Sequence, residues 1–522
     1  MINKKFTTFI TFGATLGVLA GCSDTAKSEE EALATESGDY SIATVRWSDW
    51  GDEFVKGFVE ETEEKAGIEI DWEIYLNSDW GDKKAVLMAG GDLPDAFLGS
   101  NALSDAEIAQ FSDMFIPLED LIEENMPNLV AAMAEDPQLR AISTSPDGHI
   151  YSLPTKLPLR PVAGNQMFIN QQWLDNLGLE MPDTVEEFEM VLKAFKEQDA
   201  NGNGDPNDEI PFSSDGADVL SFLLPFGMTK GVNDNRGLLA LRNDETVYLP
   251  TSDGYRDGIA WMHKAYQDGL VDPELFTHDA SMSLAKRQNK DISLVGVSAG
   301  WTPDAVFGPN KDEYVALTPL QGPDGTRYVH TDAAVYSRRE LLVTTEAENP
   351  AKLLQWADQF YTEDASIQTF YGSFGLAVDK EEDGTYTVLA PPEGESADTF
   401  AWVNSFRDFG PKYISEGFND KVTLNEESGD GLKLKLDAEI NQYATEQYPS
   451  VVYTSEELGR LSTLNVDIGS YVSSMQAKWI VEGGVEEEWD TYMSTLEKMG
   501  YDEFMEIQQT ALERYQSNLV NN

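Results

Sequence analysis

Two strand-like runs frame a helix at the start of the folded part of the chain, and this order restricts the architecture more than any other feature. Ser41–Trp47 (SIATVRW) is rich in β-branched and apolar residues. A helical pattern follows through Phe54, Phe58 and Val59, and Ile68–Leu76 (IEIDWEIYL) alternates apolar with polar side chains. Strands separated by a helix-length segment cannot close a tight hairpin. They pair parallel with the helix crossing over the sheet, so the β-α-β order predicts an α/β lobe with a largely parallel sheet. A further helix is expected through Lys84 to Met88, with a turn at Gly90-Gly91-Asp92 before Leu93-Pro94-Asp95-Ala96-Phe97.

Later helices carry their own punctuation. Thr184-Val185-Glu186-Glu187 has the form of a capping box, opening a helix with Val185, Phe188, Val191, Leu192 and Phe195 on one face. Asn349-Pro350 supplies an N-cap and an N1 proline ahead of Leu353, Trp356 and Phe360. Trp489, Tyr492, Met493 and Leu496 fall at helical spacing, with Gly500 as the stop. These stripes read as core. No repeat of fixed period is present.

At 522 residues, the chain is long enough for two or three lobes, each with its own core, and its 41% hydrophobic content is that of a globular protein. It carries 93 acidic against 36 basic residues, a formal net charge of −57. A field of that sign repels phosphates, which argues against nucleic acid and anionic headgroups as partners; it fits a solvated acidic surface suited to a saline habitat.

The N-terminus is of another kind. Lys4 and Lys5 precede an apolar stretch from Phe6 to Val18, too short to remain as a spanning helix. Leu19-Ala20-Gly21-Cys22 follows, and Cys22 is the only cysteine. This segment resembles the bacterial lipobox, which implies a signal peptide over 1–21, cleavage before Cys22, a diacylglyceryl thioether on its sulfur and acylation of the new amino terminus. Two or three acyl chains make a stable anchor, whereas one is marginal. Residues 22–39 then read as a lipidated cysteine and a polar, acidic, flexible tether. No other stretch offers about 18 uninterrupted apolar residues. With Cys22 lipidated, no disulfide or thiol remains to the folded body.

The segment Asp199-Ala200-Asn201-Gly202-Asn203-Gly204-Asp205-Pro206-Asn207-Asp208-Glu209 is the most explicit chemically. Oxygen-bearing side chains at its first, third and fifth positions, with glycine at the sixth, let alternate residues converge on a hard cation. The loop differs from an EF-hand at its twelfth position, which is Ile210; the closing acids are Asp208 and Glu209. The expected ligands are Asp199, Asn201 and Asn203 by side chain and Asp205 by its carbonyl, with Asp208 and Glu209 completing the shell and Asn207 a weaker candidate. An all-oxygen set without His or Cys favours structural Ca²⁺. The alternative is an acidic Asn/Gly turn without metal.

Several separated segments together resemble one family: Leu87-Met88-Ala89-Gly90-Gly91-Asp92-Leu93-Pro94-Asp95, Tyr151-Ser152-Leu153-Pro154, Asn170-Gln171-Gln172-Trp173-Leu174, Asp268-Gly269-Leu270-Val271-Asp272-Pro273, Gly322-Pro323-Asp324-Gly325 and Gly484 to Tyr492 (GVEEEWDTY). In order and spacing they are similar to the extracellular solute-binding family 1 lipoproteins of ABC transporters. Within that family they are similar to the large calcium-bearing branch that includes alginate oligosaccharide-binding proteins. The resemblance covers essentially the whole chain. It implies a class II periplasmic-binding-protein-like α/β fold, in which two lobes close over a solute in the cleft between them. Crossover strands are then expected near Leu157 to Gly164 and Val329 to Ser337. Lobe one falls at 40–158 with 333–372, and lobe two at 159–332 with 373–522. The implied function is capture of a carbohydrate, an oligosaccharide, for delivery to an ABC permease by a monomer anchored on the outer face of the cell membrane.

Sugars present C–H faces to aromatic rings and hydroxyls to charged or amide groups, and loops after strands are where such groups belong. Trp47, Asp49 and Trp50 follow the first strand, Trp301 follows strand-like Ile292–Val297, Arg160 sits at the first crossover, and Trp402 and Arg407 lie in a late loop or helix. Each of these residues equally suits ordinary packing. Arginines are scarce, which favours Arg160 and Arg407 for an acidic sugar. Two other readings stay open: a secreted lipoprotein glycosidase or lyase, and a ligand sensor that reports to a membrane kinase. Against the enzyme stand the lack of G-x-S-x-G, H-E-x-x-H or P-loop motifs and the scatter of His149, His263, His278 and His330.

Overall fold

The computed structural model describes residues 39–521 apart from 160, 162, 215, 230–237, 244, 331–334, 396–398, 426–428 and 445–447; Cys22, the residues before it and Arg160 lie outside the described residues. Two four-stranded sheets organise the chain. In the first, Asp39–Arg46 pairs parallel with Glu69–Leu76 along its whole length, from Asp39↔Glu69 to Arg46↔Leu76. On its other side it pairs parallel with Ala96–Leu98, which in turn takes the antiparallel edge strand Leu341–Val343. The expected β-α-β unit is present. Its helix begins at Phe58, because the preceding residues form turns while Phe54 is already buried.

The side-chain period of two sends alternate residues of one strand into different cores. Ile42 faces a core with Phe54, Phe58, Ile70, Leu353, Trp356 and Phe360, whereas Ala43 and Val45 face a second one with Trp80, Phe97 and Leu342. A sheet covered on both faces is what a largely parallel arrangement requires.

In the second sheet the order is Tyr314–Ala316, Gln166–Asn170, Val295–Gly300, Ile210–Phe212. Gln166–Asn170 runs antiparallel to both of its neighbours, and Val295–Gly300 is parallel to Ile210–Phe212. Its large core holds the Thr184-capped helix, Val185–Glu197, through Phe188, Leu192 and Phe195. Three C-terminal helices, Ser455–Glu482, Val485–Lys498 and Tyr501–Asn521, join that core through Leu464, Trp479, Tyr492, Leu496 and Phe504. The capping box at Thr184 is only half formed. The Thr184 hydroxyl accepts from the Glu187 amide at 3.2 Å, but the Glu187 carboxylate accepts from Asp183 N–H instead of Thr184 N–H. The strand expected over Ile292–Val297 starts at Val295, because Asn289 Oδ1 accepts from the amides of Asp291 and Ile292 and holds them in a turn.

The chain crosses between the sheets along two adjacent paths. Thr155–Lys156 pairs antiparallel with Tyr336–Ser337, Leu157 N–H donates to Val335 O at 2.8 Å, and Gly164 N–H donates to His330 O at 2.9 Å. Thr155 also bridges in parallel to Lys412. After the second crossing, Val378–Lys380, Tyr386–Val388 and Val422–Leu424 form a small sheet over a core of Ile367, Phe370, Tyr371, Ile414 and Phe418. Phe406 and Tyr413 lie in the core beneath the first sheet.

Candidate functional site

In the first sheet the parallel neighbours of Asp39–Arg46 lie on opposite sides, so the chain winds both ways from this strand. Ligands of open α/β sheets bind beyond the carboxyl ends of strands at such a switch point. Arg46 is the last residue of the strand and is buried. Its Nη1 donates to Ser405 O at 3.1 Å, its Nη2 bonds to Trp402 O, and its guanidinium stacks over the rings of Trp50 (5.5 Å) and Phe54 (4.5 Å). Burial lowers its pKa to about 10, which leaves it charged at neutral pH. Arg46 therefore clamps the short helix Phe400–Asn404, and with it Trp402, against the strand end.

The aromatic residues gather around this clamp. Trp50 and Trp402 have ring centroids 5.9 Å apart, Trp402 and Phe409 are edge-to-face at 5.9 Å, and Trp47 lies 6.0 Å from Phe409. Trp47 is 50% exposed, an open aromatic face at the end of a buried strand. Asp49 is exposed beside it. Gly99, after the neighbouring strand, has φ +105°, and a side chain there would sit 3.3 Å from Phe409. Asn101 donates to Val45 O at 3.1 Å and leaves its own Oδ1 buried without a partner.

Trp301 stands at the carboxyl end of Val295–Gly300 in the second sheet, partly buried, with Lys433 Nζ 4.9 Å from its ring centroid. Lys433 is fully buried, donating to Gly164 O at 2.7 Å and to Asp437 Oδ1 at 2.6 Å, and Gln166 Nε2 reaches the same Asp437 oxygen at 3.1 Å. Burial raises the Asp437 pKa, opposed by Lys433.

Lys433 lies in the middle of the helix Gly429–Asp437, one turn after Asp430. Asp430 receives Arg407 Nη2 at 2.8 and 2.7 Å, and the Arg407 guanidinium lies 4.0 Å over the Phe370 ring. Within one turn of this helix, Asp430 thus holds the segment behind Trp402 and Lys433 meets Trp301. Arg407 is 8% exposed and held in the left-handed region at φ +57°, so its charge is directed inward to Asp430. Desolvation acts to lower its pKa, and Asp430 outweighs this and raises it.

Sequence reasoning singled out Trp47, Asp49, Trp50, Trp301, Trp402 and Arg407, and the fold places each near a strand end or this connecting helix. It did not single out Arg46, Asn101, Phe409, Asp430 or Lys433. Arg46 ends the first strand, which was a usable signal. The others depend on long-range pairing.

The expected metal loop leaves the end of the helix Val185–Glu197. Gly204 has φ +93° and donates its amide to Asp199 Oδ2 at 2.9 Å, which is the bend the spacing calls for. Asn201 and Asn203 donate to the two oxygens of Asp208 at 2.9 and 2.6 Å, and the Asn203 side-chain Oδ1 accepts from Asp205 N–H at 2.7 Å. The Asp205 carboxylate caps Asn207 at 2.9 Å. Glu209 is 3% exposed, and burial raises its pKa. Asp199 Oδ1 and Glu209 Oε2 are buried acceptors without a donor. Among the described residues no three His, Cys, Asp or Glu side chains already converge on a point as metal ligands.

The family model described as bacterial extracellular solute-binding protein matches residues 47–367. The chain is 32% identical over 491 residues to the fructooligosaccharide ABC transporter substrate-binding protein FusA of Streptococcus pneumoniae, covering 89% of this chain and 88% of that one. The structure of FusA with kestose superposes with a TM-score of 0.78 at 30% identity over 92% of this chain and all (100%) of that one. FusA has also been solved as an EF-hand mutant with fructo-nystose. An HMO-binding, ABC-transporter-associated protein from Bifidobacterium longum infantis superposes at 0.79 with 28% identity, over 92% and 99% of the two chains. The alginate-binding protein AlgQ2 shares the fold, at 0.66 with 20% identity over 93% and 100%. The sheet topology, the paired crossings and these matches agree: the chain belongs to the bacterial extracellular solute-binding protein family, with the two-lobe α/β fold of periplasmic binding proteins.

Proposed function

We propose that this chain is the extracytoplasmic capture component of an ABC importer, binding an oligosaccharide between its two lobes and passing it intact to a membrane permease. The observation that carries the reading is the aromatic wall of Trp47, Trp50 and Trp402 at the strand ends of one sheet, connected through a single helix to Trp301 at a strand end of the other. Stacked sugar rings need such faces on both sides, and relatives similar over most of the chain are named for oligosaccharides. Arg407 serves as the tie that orients the wall. Its charge is engaged by Asp430, so a neutral oligosaccharide suits this side of the cleft better than a uronate. The role is binding and not catalysis.

The lobes divide at the crossings, about 40–158 with 333–372 and 159–332 with the C-terminal helices. Phe406 and Tyr413 pack under the first sheet, which argues that the segment carrying Trp402 moves with lobe one. Cys22 carries the lipid that holds the protein on the outer face of the membrane.

The loop residues fit a hard cation. Asp199 Oδ1 and Glu209 Oε2 are acceptors that nothing else satisfies, and Asn201, Asn203, Asp205 and Asp208 add oxygens. We assign them to Ca²⁺ in a structural role, an assignment supported by the EF-hand named for FusA.

The test is a thermal-shift and calorimetric screen of neutral and uronate oligosaccharides, fructooligosaccharides included, with recovery of the sugar afterwards. A ligand bound only by the native state raises the midpoint by mass action. Binding with intact sugar recovered supports the reading. Cleaved product, or no binding by any sugar, overturns it.

A further inference from the structure

Two fully buried charges flank the turn that carries Phe409. Glu340 and Lys412 are both 0% exposed. Burial raises the Glu340 pKa against the pull of Lys412. It lowers the Lys412 pKa to about 8, opposed by Glu340 and Asp408 and reinforced by Arg407. Apolar residues of the same shape often serve stability as well as charges taken this far out of water, so the distinctive effect of such a pair lies in the geometry it imposes.

Both side chains grip one peptide unit. The Phe409 carbonyl accepts from Lys412 Nζ at 2.7 Å, and the Gly410 N–H of the same peptide donates to Glu340 Oε2 at 2.8 Å. Lys412 Nζ also donates to Gly410 O at 2.8 Å. The plane that follows Phe409 is therefore fixed at both edges. The backbone of Glu340 acts from another side: its carbonyl accepts from Gly99 N–H at 2.9 Å, and Gly99 is the residue whose added Cβ would lie 3.3 Å from Phe409.

The clamp is itself anchored. Glu340 N–H donates to Leu153 O at 3.0 Å, and the Lys412 carbonyl accepts from Lys156 N–H and the Thr155 hydroxyl, both at 3.1 Å, on the first crossing. Phe409, only 7% exposed, is the ring against which Trp47 and Trp402 rest, at 6.0 and 5.9 Å.

We infer that Glu340 and Lys412 are positioning residues for capture: by locking the Phe409–Gly410 peptide they set Phe409, and through it the faces of Trp47 and Trp402 that the sugar meets. The inference rests on the oligosaccharide reading above for what those faces bind.

The experiment is fluorine NMR on the full chain labelled with 5-fluorotryptophan, beside calorimetry with kestose. Trp47→Phe and Trp402→Phe assign the two resonances. In the double variant Glu340→Gln with Lys412→Met, the glutamine still accepts from Gly410 N–H, but the methionine cannot donate to Phe409 O or Gly410 O. The expected result is that the Trp47 and Trp402 resonances move while those of Trp173 and Trp479, in the core of the second sheet, stay. Kestose binding weakens about tenfold, the scale of a lost aromatic contact. The thermal midpoint is retained, because both charges leave together. Should the double variant not fold, Glu340→Gln alone decides, with a smaller shift of the same two resonances and weaker binding. Unmoved Trp47 and Trp402 resonances, or full affinity for kestose despite moved ones, overturn the inference. Should kestose not bind the unsubstituted chain, the oligosaccharide reading fails for that sugar, and the two resonances by themselves decide whether the pair positions the rings.

Discussion

Arg407 Nη2 meets both carboxylate oxygens of Asp430, at 2.8 and 2.7 Å, across a gap of 23 residues, and the two side chains are only 10% and 11% exposed. This pair is the joint between the loop behind Trp402 and the helix that leads to Trp301. Removing one partner strands a buried charge. Asp430→Ala is therefore expected to lower unfolding free energy by about 3 kcal/mol and to weaken oligosaccharide binding as well. Denaturant titration and calorimetry on the same variant check both effects. Full affinity with lost stability would remove the joint from the binding role.

Trp402 in the aromatic wall and Trp301 on the other sheet are expected to carry separate shares of affinity. Trp301→Ala and Trp402→Ala are each expected to weaken capture at least about tenfold, ~1.4 kcal/mol, through lost ring contact. The Trp402 ring packs on Trp50 and Phe409, so its loss also exposes those rings, and Trp402→Ala is expected to cost more stability than Trp301→Ala. Calorimetry with the best sugar of the screen, beside thermal midpoints, measures both orders.

Calcium is expected to act on stability and not on the sugar site directly. Chelator lowers the midpoint and added Ca²⁺ restores it, by about 2.7 kcal/mol where the ion stands at a hundredfold its Kd. Glu209→Gln removes the response, because it replaces a buried carboxylate oxygen that has no other partner. A midpoint indifferent to chelator in the unsubstituted protein would leave the loop an Asn–Asp turn stabilised by its own hydrogen bonds.

Local signals were legible and long-range ones were not. The first strand, its β-α-β partner, the Asn349-Pro350 helix start and the stripe on Val185–Glu197 follow from neighbouring residues, and all of them form. Asn349 accepts from Lys352 N–H at 3.1 Å as an N-cap should. Strand ends drew attention to Trp47 and Trp301 because loop residues after strands are where ligands meet a sheet. Nothing in the sequence near Arg407 says that Asp430 will neutralise it, since the pairing depends on where a separate helix docks. Arg407 therefore read as a spare cation for an acidic sugar.

Asp105 gives the clearest pH dependence. Burial acts to raise its pKa, but Arg338 and Arg339 outweigh this and hold it at about 2, below the ordinary 3.8. A carboxyl depressed in the folded state contributes stability that is complete above its unfolded pKa and is lost as pH falls through the folded one. The contribution is therefore full above about pH 4 and fades toward pH 2. Asp105→Asn is expected to lower stability at neutral pH and to flatten the slope between those values. Denaturation midpoints across that range, variant against unsubstituted protein, show whether the difference closes on acidification. A difference constant with pH would mean that the arginines do not hold this charge.

Two glycines of one strand separate packing from capture. A Cβ on Gly296 would lie 2.6 Å from Phe195 Cδ2 and 3.0 Å from Pro211 O, and one on Gly300 would lie 2.3 Å from Val306 Cγ2. Neither contact can be relieved without moving a buried neighbour, so alanine at either site costs about 1–3 kcal/mol of overpacking strain. The consequences then diverge by position. Gly296 faces the core helix carrying Phe195, far along the strand from the cleft. Gly300 immediately precedes Trp301, and Val306 belongs to the short helix Pro303–Phe307 that follows it. Gly300→Ala therefore pushes on both ends of the segment that aims the ring, and is expected to weaken oligosaccharide binding several-fold beyond any loss of folded protein. Gly296→Ala is expected to lower stability alone. Calorimetric affinity measured on the folded fraction of each variant distinguishes them; equal affinities would show that the ring keeps its aim whatever happens at the strand end.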